Sequence, residues 1–120
     1  MPRTVLAIVD DMFFASKIRA AAEALGVTVS FPRTREALLE KAREVTPDVI
    51  LIDLHHQRFD AIEAAAEIKA DPELKAIPLL GFFSHVQTEL HHNAVAAGID
   101  QVVPRSVFSR DLVAILSGQR

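Results

Sequence analysis

The sequence predicts a three-layer α/β fold in which helices cover both faces of a parallel sheet. Two observations favour this class. Residues 49–52 form an unbroken apolar run, typical of a strand buried on both faces. Runs of this kind alternate along the chain with segments of helical periodicity, which indicates right-handed strand-helix-strand units. At 120 residues the chain is long enough for one hydrophobic core, so we expect a single domain over residues 1–120.

The first strand is predicted at residues 5–9, directly before Asp10 and Asp11. Apolar residues then recur at helical spacing and predict an amphipathic helix that ends at Gly26. Residues 27–31 alternate as an edge strand does, and Pro32 closes that strand. The residues predicted to face the core from the first helix are Phe14, Ile18, Ala21 and Leu25.

Thr34 is placed to cap a second helix, which Pro47 stops before the central strand at residues 49–52. Asp60 is placed to cap a third helix, and residues 77–83 form the fourth predicted strand. The inward residues predicted for these two helices are Leu38, Ala42 and Val45 in the second, and Ala61, Ala65 and Ile68 in the third.

The last third of the chain contains a helix that ends at Gly98, a short strand at residues 101–103 and a final helix. We expect Ser109 to cap that final helix, with Phe108 and Val113 forming a hydrophobic staple across the cap. The fold class is therefore (βα)5. The residues predicted to face inward are Val86, Leu90, Ala94 and Ala97 in the fourth helix, and Leu112, Ile115 and Leu116 in the last.

Composition excludes several classes of function. The formal net charge is -3, the basic residues are scattered singly, and there is no cysteine. We therefore expect no direct nucleic-acid binding and no disulfide framework. No apolar run approaches the roughly 18 residues that a membrane helix needs, and the N-terminus lacks the pattern of a secretory signal. These features favour a cytoplasmic protein, while the oligomeric state stays open.

Three carboxylates follow two of the predicted strands. Asp10 and Asp11 come after the first strand, and Asp53 ends the central one. If those strands are parallel neighbours, the three groups meet in the crevice at the carboxyl ends of the strands, where ligands bind in open α/β sheets. Three carboxylates this close together repel one another. Their repulsion raises the pKa of at least one of them unless a cation offsets the charge. The alternative is that Asp10 merely caps the first helix and Asp53 ends a strand by chance.

With these residues in place, the chain resembles a response-regulator receiver domain. The acidic pair, the aspartate after the third strand, the spacing of residues 53–63 and the turn at residues 97–100 carry the resemblance. It implies a flavodoxin-like sheet of order 2-1-3-4-5 and a signalling module rather than an enzyme. Asp53 would accept a phosphoryl group from a histidine kinase or phosphotransfer protein, and the domain would then act on a downstream protein target.

The resemblance also implies a magnesium site. Asp11, Asp53 and the backbone carbonyl of His55 would bind Mg²⁺ directly, and Asp10 would bind it through water. The residue types agree with this assignment, because Mg²⁺ prefers oxygen ligands and retains several waters.

Several positions depart from the family pattern. Phe83 stands where a Thr or Ser hydroxyl contacts the phosphoryl group, and Ser84, one residue later, is a possible substitute. Arg105 occupies the position of the family's lysine and presents a planar fork instead of an ammonium group. Val102 occupies the position of the switch aromatic. The sequence thus predicts an intact acidic pocket with an altered relay. Further departures are His56 and Gln57 in place of Met-Pro, and Pro104 before Arg105 with Ser106 after it.

Two other functions compete with a phosphorylated receiver. A pseudo-receiver would keep the acids and act as a phosphorylation-independent interaction module, as Phe83, Arg105 and Val102 favour. A flavin-binding or phosphate-binding enzyme on the same sheet would need small residues after strand one, where this chain has acids followed by residues 12–14, which are bulky. The histidines do not have metal-ligand spacing, and we interpret them as solvated or loop residues.

Overall fold

The computed structural model describes residues 3–56, 59–84 and 88–119. These form one five-stranded parallel sheet in the order β2-β1-β3-β4-β5. Both the predicted fold class and the predicted strand order are confirmed. The strands are β1 (Thr4–Ile8), β2 (Thr28–Ser30), β3 (Val49–Asp53), β4 (Leu79–Phe83) and β5 (Gln101–Pro104). The helices are α1 (Met12–Leu25), α2 (Arg35–Val45), α3 (Ala61–Ala70), α4 (Thr88–Ala96), α5 (Arg105–Arg110) and α6 (Leu112–Ser117).

The central strand β3 is buried along its whole length, as its unbroken apolar run predicts. Alternate side chains enter two separate core clusters on opposite faces of the sheet. Ile50 and Ile52 pack with α2, α3 and α4, whereas Val49 and Leu51 pack with α1, α5 and α6. Each face of the sheet is therefore covered by helices, and the loops at the carboxyl ends of β1, β3 and β4 are left to form a site.

The local capping predictions for α2 and α3 are confirmed. The backbone N–H of Ala37 donates to Thr34 Oγ1 at 3.0 Å, and that of Glu63 donates to Asp60 Oδ1 at 3.0 Å. Gly26 follows α1 with a φ of 71°, in the left-handed conformation that glycine adopts without strain. A short polar side chain placed before an apolar stripe was thus sufficient to locate these helix starts.

The predicted cap of the last helix is wrong. Ser109 lies inside α5, which begins at Arg105 directly after Pro104. Proline fixes φ near the value required at a helix start, and a start here carries Phe108 fully into the core. Asp111 separates α5 from α6, and Val113 is 57% exposed and does not form the expected staple.

The inward stripe of α1 also differs from prediction. Phe14 and Ile18 are buried as expected, but the next buried residue is Ala22 rather than Ala21, and Leu25 is 40% exposed. Leu25 is seven residues after Ile18 and so shares its helical face, but it is the last residue of α1, directly before Gly26. The expected α4 residue Val86 lies outside the described residues, whereas Ala94 is buried as predicted.

Candidate functional site

Asp53 is the last residue of β3 and lies at the carboxyl edge of the sheet. Its side chain is only 7% exposed, which makes it the one buried charged side chain among the described residues. The backbone N–H of His55 donates to Asp53 Oδ1 at 2.9 Å. Burial raises the pKa of the Asp53 carboxyl, and the negative charge of Asp10 adds to that rise, while the His55 hydrogen bond opposes it.

Asp11 lies at the start of α1 and uses its two carboxylate oxygens differently. Oδ1 accepts the backbone N–H groups of Phe13 and Phe14 at 3.0 and 3.1 Å, so Asp11 caps the helix. Oδ2 accepts from Arg105 Nη2 at 2.9 Å. The Arg105 hydrogen bond, followed by that of Phe14, lowers the pKa of Asp11.

Asp10 lies in the loop between β1 and α1 and is half-buried. Its charge acts on Asp53, so the two carboxylates share one electrostatic environment, as expected for neighbouring parallel strands. The alternative in which Asp10 is only a helix cap is wrong, because the cap of α1 is Asp11.

The oxygen donors at this edge of the sheet suit a hard divalent cation. Asp11 already accepts hydrogen bonds from the backbone of α1 and from Arg105. In residues 3–56, 59–84 and 88–119, no three acidic or histidine side chains are grouped tightly enough to form a metal site. Asp10, Asp53 and the His55 carbonyl group supply oxygen donors of the kind that Mg²⁺ prefers. Asp11 Oδ2, which accepts a hydrogen bond from Arg105 Nη2, is a further oxygen donor at this edge.

Arg105 is held from two sides. Besides its hydrogen bond to Asp11, its guanidinium carbon lies 4.2 Å from the ring centroid of Phe14, a cation–π distance. Phe14 packs in turn against Phe82 and Phe108, with ring centroids 5.3 and 5.6 Å away, and those two rings stack at 4.3 Å. The guanidinium group of Arg105 therefore packs against an aromatic cluster of the core.

The contact between Phe14 and Arg105 was not predicted. Phe14 was predicted to be a core residue, which is correct, but Arg105 lies 91 positions later along the chain. The sequence did contain one indication of this contact. Phe14 lies three residues after the capping Asp11, so both side chains can reach the guanidinium group of Arg105.

The two positions expected to carry the hydroxyl contact differ in their surroundings. Phe83 is half-buried and packs against the core cluster on the α3 and α4 side, with its ring centroid 6.2 Å from that of His91. Ser84 is exposed at the end of β4. Val102 is partly buried against the same cluster as Phe83. Phe83 and Val102 are therefore both part of the apolar packing on the α3 and α4 side of the sheet.

The remaining aromatic and histidine predictions divide between the site and the surface. Phe13 is 85% exposed at the edge of the crevice, and the ring of His56 lies 4.6 Å from that of Phe59. His91 and His92 are exposed on α4, in agreement with their interpretation as solvated residues. Gln57 and His85 lie outside the described residues.

Comparison with protein families matches residues 5–117 to the response regulator receiver domain. The response regulator protein VraR of Staphylococcus aureus is 32% identical over 75 residues, which is 62% of this chain and 34% of VraR. The chain therefore corresponds to about a third of the length of this relative.

Solved structures agree with the observed topology. The chemotaxis response regulator CheY4 of Vibrio cholerae superposes with a TM-score of 0.83 at 18% identity and full coverage of both chains. The Mn²⁺-bound form of the response regulator Rcp1 superposes with a TM-score of 0.77 at 21% identity, covering 98% of this chain and 91% of Rcp1. At these identities the likeness is one of fold. No helix in the described residues has both the length and the apolar character needed to cross a bilayer.

Proposed function

The chain belongs to the response regulator receiver domain family, and we propose that it accepts a phosphoryl group on Asp53 from a histidine kinase or a phosphotransfer protein. The observation that carries this proposal is the setting of Asp53, a buried carboxylate at the carboxyl end of the central strand with Asp10 close enough to raise its pKa. Burial of a charged carboxylate lowers the stability of the fold. Carboxyl groups with perturbed pKa values concentrate at functional sites, where that loss serves the chemistry.

In the proposed reaction an ionised Asp53 oxygen attacks the phosphorus of a phosphohistidine on the partner. The new bond joins that oxygen to phosphorus as the phosphorus–nitrogen bond breaks, and the electron pair stays on the imidazole nitrogen. The His55 N–H holds Asp53 Oδ1 in place, so the other oxygen, Oδ2, is the one we assign as the nucleophile. Arg105 would move from Asp11 toward the added charge, because a guanidinium binds a phosphoryl group strongly.

We include Mg²⁺ in the proposal, held by Asp53, Asp10 and the His55 carbonyl, with Asp11 as a ligand once Arg105 has left it. When bound, the cation would offset the charges of the carboxylates and of the phosphoryl donor. The fit of the donors supports this assignment, as does Rcp1, a structural relative whose Mn²⁺-bound form is known.

Mass spectrometry of the intact protein tests the proposal. The chain is incubated with magnesium and acetyl phosphate, and the wild type is compared with Asp53→Asn and with a sample containing a chelator. We expect one phosphoryl adduct on the wild type only, and only with metal present. An adduct that persists in Asp53→Asn would contradict the assignment of Asp53.

The second candidate is a pseudo-receiver that binds its partner without phosphorylation. The observation that favours it is the tethering of Arg105 to both Asp11 and Phe14, together with the packed phenyl group of Phe83. Absence of any wild-type adduct, under conditions that phosphorylate a receiver used as a positive control, would favour this alternative.

We further propose that phosphorylation is weakly coupled to the surface of α4 and β5 through which a downstream protein would be contacted. Phe83 cannot donate a hydrogen bond to a phosphoryl group, and Ser84 is exposed, so it would have to rotate inward to replace the missing hydroxyl. Loss of one charge-assisted hydrogen bond removes about 1.5–3 kcal/mol from the difference between two states. A cytoplasmic location and a role other than enzyme remain parts of this proposal.

A further inference from the structure

A concavity of about 140 Å³ opens beside Asp10, between the start of α1 and the loop after β2. Its lining includes the buried side chain of Val9 and the half-buried ring of Phe31. The exposed part of the lining includes the side chains of Arg19 and Arg33. The volume is close to that of an engineered cavity of about 150 Å³ that holds one benzene molecule, so a small ring fits here.

The two arginines at this concavity differ from others in the chain. Across the described residues, neither Arg19 nor Arg33 forms an ion pair with a carboxylate, whereas Arg35 pairs with two glutamates, Arg43 with an aspartate and Arg105 with Asp11. A guanidinium group presents a fork of donors that matches a carboxylate oxygen pair. Two arginines that form no ion pair within the described part of the chain therefore line one small concavity.

The cavity also has features that order and orient a bound anion. The guanidinium carbon of Arg19 lies 4.7 Å from the ring centroid of Phe31, and this cation–π contact fixes the arginine at the cavity wall. Ser16 adds a hydroxyl donor to the lining. Among the described residues of the lining, Asp10 is the one acid and Arg19 and Arg33 are the two arginines, so a ligand with a single negative charge is favoured.

We propose that this concavity binds a small organic carboxylate whose apolar body is about the size of one aromatic ring. The carboxylate pairs with Arg19 and Arg33, and the ring lies against Val9 and Phe31. A dianionic phosphate ester is less suitable, because its second charge faces Asp10. The binding groups differ from the proposed phosphoacceptor, so this inference does not depend on phosphorylation of Asp53.

Amide NMR titration with benzoate in magnesium-free buffer tests the proposal. We expect saturable shifts centred on Val9, Ser16 and Phe31. Benzyl alcohol, a neutral ligand of similar size, should bind at least about tenfold more weakly, since each charge-assisted hydrogen bond contributes about 1.5–3 kcal/mol. Phenyl phosphate should also bind more weakly than benzoate.

Substitution of the two arginines tests whether their guanidinium groups bind the carboxylate. Arg19→Gln combined with Arg33→Gln should weaken benzoate binding at least about tenfold. Arg43→Gln, the matched control on α2, should leave benzoate binding unchanged. The proposal is overturned if benzoate gives no saturable shifts, if benzyl alcohol binds equally well, or if the double variant binds as the wild type does. Tighter binding of phenyl phosphate would overturn the choice of a carboxylate.

Discussion

The two carboxylates Asp53 and Asp11 should have opposite effects on stability when each is replaced by asparagine. The pKa of Asp53 is raised above its ordinary value of 3.8 by burial, so its contribution to stability is present at low pH and is lost as pH rises through the folded-state pKa. The pKa of Asp11 is lowered by Arg105, so its contribution is present above 3.8 and is lost as pH falls.

Asparagine keeps the hydrogen-bond acceptor in both places and removes only the charge. In Asp53→Asn the amide oxygen can still accept from the His55 N–H, and we expect a higher free energy of unfolding at pH 7, because the cost of burying the negative charge is removed. In Asp11→Asn the helix cap is preserved. The Asp11 and Arg105 side chains are 41% and 35% exposed, which limits the expected loss to about 0.5 kcal/mol.

Thermal unfolding in a chelator between pH 3 and pH 8 measures both effects. For a chain of this size, 1 kcal/mol shifts the melting temperature by about 4 °C. Asp53→Asn should melt above the wild type at neutral pH, and Asp11→Asn below it, and both differences should shrink as the pH falls toward 3. A destabilised Asp53→Asn at pH 7 would refute the reasoning that burial of an uncompensated charge dominates this site.

Three further results are expected. Magnesium at ten times its dissociation constant should add about 1.4 kcal/mol to the free energy of unfolding, and an unchanged melting temperature in excess metal would speak against a competent site. Phe83→Thr should enlarge the beryllofluoride-induced amide shifts across α4 and β5 relative to the wild type, because it restores a hydroxyl; equal shifts in the two proteins would show that Phe83 does not limit coupling. Gly98→Ala should lower the free energy of unfolding, measured by chemical denaturation, by about 1–2 kcal/mol because its φ is 96°. The loss should be larger still, because an added Cβ would lie 2.8 Å from Lys69 Cγ. Gly26→Ala is its matched control, with a φ of 71° and no atom within 4 Å of an added Cβ, and an equal loss in both variants would show that the contact with Lys69 adds nothing.

Local patterns in the sequence were enough for most of the fold. The apolar run of β3 identified a strand buried on both faces, and Thr34 and Asp60 located two helix starts. The start of α5 was missed because Pro104 and Phe108 together outweigh the capping tendency of Ser109. Burial of one large ring is a tertiary effect, and capping rules do not include it.

The acidic residues of the candidate site could be predicted from the sequence. The contacts that these residues make were harder to predict. Strand ends placed Asp10, Asp11 and Asp53 at one edge, because parallel strands align their carboxyl ends. The partner of Arg105 could not be predicted, since any of these acids suits a guanidinium. Only the structure shows that Arg105 donates a hydrogen bond to Asp11 and lies over the ring of Phe14.

The central claim is that Asp53 is the residue that accepts the phosphoryl group, and the most direct measurement is chemical trapping followed by peptide mapping. Borohydride reduces an aspartyl phosphate to homoserine, which fixes a labile adduct as a permanent mass difference at one residue. After incubation with magnesium and acetyl phosphate, we expect homoserine at position 53 and unmodified aspartate at positions 10 and 11. Homoserine at position 10 or 11, with Asp53 unmodified, would contradict the account.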